Sequence, residues 1–192
     1  MFSLNLLIIK KIDIMFGKIF ADPIFRRKTV RFLHWTIALL ITLSYSMGLI
    51  MNHITGHKAF YLYDLHLQIG LILLVLVAMR VIWKYTTSYK KIANKLLKIK
   101  SLITEYLYIL LYALMLVISI LGIIFVQAKG RHLAFLGIFD LPTFIEKQPK
   151  VFTRGVFQWH KWLSHVIVAF ACLHILNMLR YKFLGSFKKK TN

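Results

Sequence analysis

Residues 159–179 read WHKWLSHVIVAFACLHILNML, an apolar run that carries His160 and His174 fourteen positions apart. On an α-helix that interval turns through about 1400°, within about 40° of whole turns, and rises about 21 Å. Both imidazoles therefore leave one face of the helix, at two depths. If the helix crosses a bilayer whose hydrocarbon is about 30 Å thick, one histidine falls in each leaflet. That spacing suits two stacked cofactor sites.

Three more apolar runs precede this one. With spans at about 32–51, 64–84, 103–126 and 159–180, the pattern predicts an all-α membrane protein, a four-transmembrane-helix bundle. Hydrophobic residues make up 59% of the 192, and the runs leave no separate soluble domain. Charge is lopsided, with 26 Lys and Arg against 6 Asp and Glu, a net of +20. Nucleic acid attracts such a balance, but here no soluble face exists to bind it, so the lipid bilayer is the expected partner and nucleic acid is not. The single cysteine, Cys172, excludes a disulfide framework and a CxxCH haem-attachment site. Any haem must then be held without a covalent link.

The basic residues give an orientation. Seven lie before the first span, seven between Arg80 and Lys100, and five from Arg180 onward, which leaves seven for the other side. Positive charge stays in the cytoplasm, so both termini are expected there. The chain divides into a basic amphipathic lead-in (1–27), a four-helix transmembrane domain (28–183) and a basic tail (184–192). The apolar part of the lead-in is too short to span, and no small-residue cleavage site follows it, so no signal peptide is expected; Met15 is a second candidate start. Residues 127–156, with Gly130, Gly137, Pro142 and Pro149, read as an ordered outer loop capping the bundle.

Topology decides which histidines can meet. The first span runs outward, which puts His34 near the inner face, and the second runs inward, which puts His66 near the outer face. The fourth also runs inward. His160 then pairs with His66 in the outer leaflet, and His174 with His34 in the inner one. Two imidazoles on facing helices suit a haem iron, whose axial ligands approach a flat macrocycle from opposite sides. Gly70, one turn from His66, lets a porphyrin lie close to the backbone, and Gly48 offers the same at another depth. A tetrahedral zinc site is excluded for all four, because two of the donors are about 21 Å apart on one helix.

The bland readings weigh against this one. A lone membrane histidine is by default a hydrogen-bonded packing residue, yet ionisable groups in a bilayer are costly and four fall into two matched levels. His165, about 140° around the helix from His160, reads as structural or facing the lipid interface. His53, His57 and His132 read as solvated loop residues, with proton handling at an outer quinone site as the other option. Arg80 and Lys84 read as interfacial anchors, or as partners of haem propionates. Glu105 reads as a headgroup-level residue, or as part of a proton relay.

The same residues resemble the bacterial cytochrome b561 family. His34-Trp35 after a basic stretch, with Tyr45 and Gly48, is similar to its first-helix motif. His66, Gly70 and Arg80 match its second-helix spacing, and Gly122, the loop from Phe135 to Pro142 and the pair His160 and His174 complete the pattern. The resemblance covers about Arg27 to Phe183. It implies a protein of the bacterial inner membrane with two haem b groups whose axial ligands are His34, His66, His160 and His174. It also implies electron exchange with ubiquinone or another quinone, with superoxide as one electron donor known in the family. The chain departs from the pattern at Glu105, Tyr108, Ser119, Tyr181 and Lys182, positions away from the expected ligands but close to where a quinone and its protons would be handled.

Two other functions compete with a dihaem electron carrier. One is an anchor subunit passing electrons for a partner enzyme, as cytochrome b subunits of hydrogenases and formate dehydrogenases do, with the outer loop docking a redox partner protein. The other is a non-redox transporter or scaffold whose histidines handle protons or pack helices.

Overall fold

The computed structural model of the chain describes residues 23–51, 53–87 and 98–190. Residues 1–22 of the lead-in, with its candidate second start, and most of the lysine-rich connection, residues 88–97, lie outside these. The side chains of Lys84, Tyr181 and Lys182 are likewise not among those described. Four helices dominate: α1 (Pro23–Ile50), α2 (His57–Thr87), α3 (Lys98–Ala128) and α4 (Lys150–Lys190), with a two-stranded ribbon, β1 (Ala134–Phe135) and β2 (Phe139–Asp140), between the last two. Each helix contains a stretch long and apolar enough to cross a membrane, namely Lys28–Ile50, His57–Trp83, Glu105–Ala128 and Lys150–Arg180.

The helices outrun the apolar runs that announce them, because backbone breakers set their ends. Pro23 opens α1, where a missing N–H costs nothing. Gly56, at φ 76°, turns the chain immediately before α2, so the link expected over residues 52–63 shrinks to a tight corner. Pro149 immediately precedes α4, which begins nine residues ahead of the expected span; nothing between Lys150 and Gln158 stops a helix. α3 closes with Gly130 at φ 74°, where Gly130 N–H donates to Gln127 O and Arg131 N–H to Val126 O, the two bonds of a Schellman cap.

α1 packs on α2, α2 on α3 and α3 on α4. Ile37 and Met47 of α1 meet Ile69, Leu73 and Val77 of α2, with Tyr112, Met115 and Leu116 of α3 against them. A second cluster, Leu71, Val126 and Leu133, joins α2 and α3 to the outer loop. Most other apolar side chains, such as Phe32, Trp35, Leu39, Val75, Ile109 and Leu176, face outward. In water that surface would be a liability; in lipid it is the surface a spanning bundle needs. Three hydroxyls on the spans turn back on their own helices, Thr42 to Ala38 O, Ser46 to Thr42 O and Ser164 to His160 O, and so need no water.

The outer loop is ordered by two glutamines. Gln68 of α2 donates to Ala134 O and accepts from Leu136 N–H, and Gln127 of α3 donates to Pro142 O and accepts from Phe144 N–H. The strands pair Ala134 with Asp140 and Phe135 with Phe139, around a turn in which Leu136 and Gly137 both have positive φ. Leu136 is strained there, and the bond from its N–H to Gln68 holds it. Gln148 N–H donates to Ala128 O and closes the loop at its base.

Candidate functional site

Two pairs of imidazoles face one another across the bundle. The rings of His66 (α2) and His160 (α4) stand 6.1 Å apart, centre to centre, with their planes at 78°. Those of His34 (α1) and His174 (α4) stand 6.3 Å apart at 77°. Among the described residues no three His, Cys, Asp or Glu side chains converge as a metal cluster. Each level thus brings two imidazole donors together.

The first pair is held by the backbone of neighbouring helices. His66 Nδ1 lies 2.9 Å from Ser44 O and 3.2 Å from Ser44 Oγ, and His160 Nδ1 lies 2.9 Å from Ile118 O. A carbonyl can only accept, so each Nδ1 carries the proton and each neutral ring keeps the Nε2 lone pair free for a metal. Glycines clear the space around the rings. A Cβ at Gly48 would stand 3.8 Å from His66 Cε1, and one at Gly122 3.5 Å from His160 Cε1, while a Cβ at Gly70 would meet nothing within 4 Å. All three line a cavity of about 670 Å³ together with both rings.

At the second pair the surroundings differ. His174 Nδ1 is buried without a hydrogen-bond partner. Tyr108 stacks edge-on against the His174 ring at 5.1 Å, and Trp35 against His34 at 5.8 Å. Arg80 lies close enough for its charge to act on both imidazoles. Its Nε donates to Tyr112 Oη at 2.7 Å, and its Nη1 is buried with no partner. A guanidinium with a buried, unpartnered Nη1 on an apolar span is costly there.

The remaining expectations fall out variously. His53, His57 and His132 are exposed, as is Glu105 at the start of its apolar stretch. His165 does not face lipid alone: its Nδ1 is hydrogen bonded to Tyr45 Oη at 2.9 Å, and both residues line the cavity. That bond is of the structural kind expected of His165, and a cavity this wide takes in side chains well off the His160 face. Lys129, Lys150, Arg154 and Lys161 also line it, and the sequence had marked none of them as site residues. Their signal was the seven basic residues left on the outer side. Gln68 and Gln127 were legible too, as lone amides inside apolar helices.

Two comparisons bear on this arrangement. The family model described as prokaryotic cytochrome b561 matches residues 26–189, which takes in all four helices and the outer loop. A curated protein, cytochrome b561 homolog 2 of Escherichia coli strain K12, is 24% identical over 154 residues, covering 79% of this chain and 81% of its own.

Proposed function

The chain belongs to the prokaryotic cytochrome b561 family, and from that premise we propose that it is a dihaem membrane cytochrome moving electrons across the inner membrane and exchanging them with a quinone. Membership makes it a multi-pass membrane protein and a b-type cytochrome of electron transfer. The finer reading, of two haems with the pairs His66/His160 outside and His34/His174 inside, rests on the geometry of the rings.

One observation carries it. A metal–imidazole bond of about 2 Å, with about 1.1 Å more from nitrogen to ring centre, makes two opposed ligands span about 6 Å; the ring separations are 6.1 and 6.3 Å. The free Nε2 of His66 and His160, the glycine-cleared cavity and the orphaned Nδ1 of His174 support the same reading. Haem iron, when bound, supplies one-electron chemistry.

The protein's own residues do the rest. Ser44 O and Ile118 O orient the outer imidazoles and raise their basicity. Arg80 places a fixed positive charge beside the inner pair, favouring the more negative, reduced state there. The apolar walls exclude water and keep these terms large. With both termini cytoplasmic, as the basic residues suggest, the outer pair faces the outer leaflet. Quinone is the exchangeable partner this reading assigns, and superoxide is a donor to be tested with it.

The test is the dithionite-reduced minus oxidised visible spectrum of the purified protein, with haem and protein both quantified. Two b-type haems per chain, and their reduction by a quinol, are expected; no α-band would end the proposal. His66→Ala or His160→Ala should remove one haem, and His34→Ala or His174→Ala the other. A second reading, an anchor subunit for a partner enzyme, has the exposed apolar side chains Leu136, Ile138 and Phe144 of the outer loop in its favour. A dehydrogenase that stays bound through purification would favour it.

A further inference from the structure

The cavity that reaches His66 and His160 is apolar at depth and cationic at its outer end. Lys129, Lys150, Arg154 and Lys161 line it, and among its described lining residues there is no carboxylate. Their height above the ring level follows from helix register. Gly122 sits against the His160 ring, and Lys129, seven residues further on at the C-terminal cap of α3, lies about two turns on, near the same face and about 10 Å outward. Arg154 and Lys150 precede His160 on α4 by six and ten residues, about 9 and 15 Å toward the same end.

The loop forces these charges together. Its two ends are tied by the bond from Gln148 N–H to Ala128 O, and the Schellman cap at Gly130 places Lys129 as the capping residue immediately after α3. Lys129 Nζ rests over the Phe125 ring at 4.3 Å, and Phe125 in turn lies against Phe157 of α4 at 5.3 Å. Partial burial, and after it the neighbouring Arg131, hold the Lys129 ammonium below the usual lysine range. A cation so placed gains most from an anion supplied by something else.

We propose that Lys129, Lys150 and Arg154, with Lys161 beside them, seat the two propionate carboxylates of the haem held by His66 and His160. This rests on the dihaem reading above. A haem is an apolar disc with both carboxylates on one edge; axial ligation fixes its face, and only that edge remains to be assigned. Toward the lipid or the bundle interior, two carboxylates would lose their water without gaining a counter-charge. Toward the rim they meet ammonium and guanidinium donors at the height the register gives, and the bonds are charge-assisted.

The test reloads the haem-stripped full-length protein with haem b or with its dimethyl ester, in which both carboxylates are masked. Uptake at the outer site is followed by absorbance and identified by its loss in His66→Ala. Wild type should bind haem b at least about tenfold more tightly than the ester, the scale of losing hydrogen bonds to charged groups. The triple variant Lys129→Gln, Lys150→Gln, Arg154→Gln should lose that preference at the outer site and keep the inner haem, and Lys129→Arg should retain it. The inner haem also reports that the triple variant is folded, and single Lys129→Gln gives a milder reading of the same loss. Equal binding of the two haems by wild type, or a preference that survives in the triple variant, overturns the proposal. Failure of wild type to take up two haems overturns instead the dihaem reading beneath it.

Discussion

Tyr45 Oη and His165 Nδ1 are hydrogen bonded at 2.9 Å, joining α1 to α4 at a height between the two imidazole pairs. The α1 and α4 helices share no extensive packed seam among the described residues, so this bond is a direct polar tie between them. A double-mutant cycle of Tyr45→Phe and His165→Leu should give a coupling of about 0.5–1.5 kcal/mol in thermal unfolding in detergent. Additive effects would show that the bond contributes nothing to the α1 and α4 arrangement.

How far this arrangement was legible in the sequence depends on what set each part. Four helices followed from apolar runs of spanning length, and the fourteen-residue interval from His160 to His174 fixed two levels before any partner was known. Helix ends were less legible, because Gly56 and Pro149, not the loss of hydropathy, decide where α2 and α4 begin. The ribbon at Ala134 and Asp140 is too short to leave a periodic signal, and the Gln68 contacts that hold it are tertiary. The cavity gathers Lys129 and Arg154 from opposite ends of a loop, and only the closure between Ala128 and Gln148 brings them to one rim.

Arg80 tests the electrostatics of the inner pair. Removing its charge by Arg80→Gln withdraws a fixed cation from beside the His34 and His174 rings, which penalises the reduced state. Redox titration should show the inner haem lowered by tens of millivolts and the outer haem nearly unmoved, from a Coulomb interaction at intermediate dielectric. A shift confined to the outer haem would place Arg80's influence at the wrong level.

Gln127 is 3% exposed and ties the outer loop to α3 through Pro142 O and Phe144 N–H. Gln127→Leu leaves both loop groups without that partner, at a cost of about 1–3 kcal/mol. Limited proteolysis should then cut between residues 129 and 149 faster than in wild type, while haem content holds. An unchanged cleavage rate would mean that the loop is ordered by something other than this side chain.

The facing rings of both pairs stand nearly perpendicular, at 78° for His66 and His160 and 77° for His34 and His174, and a haem iron held between either pair would have perpendicular imidazole ligands. Perpendicular imidazoles leave the two iron d orbitals that face the ligand π systems nearly degenerate, which makes a low-spin ferric centre strongly axial. Low-temperature electron paramagnetic resonance of the oxidised protein, with spins counted per chain, reads this directly. Two low-spin ferric centres, both of the strongly axial kind, are expected. A high-spin signal, a single centre, or the rhombic spectrum of coplanar imidazoles would contradict this.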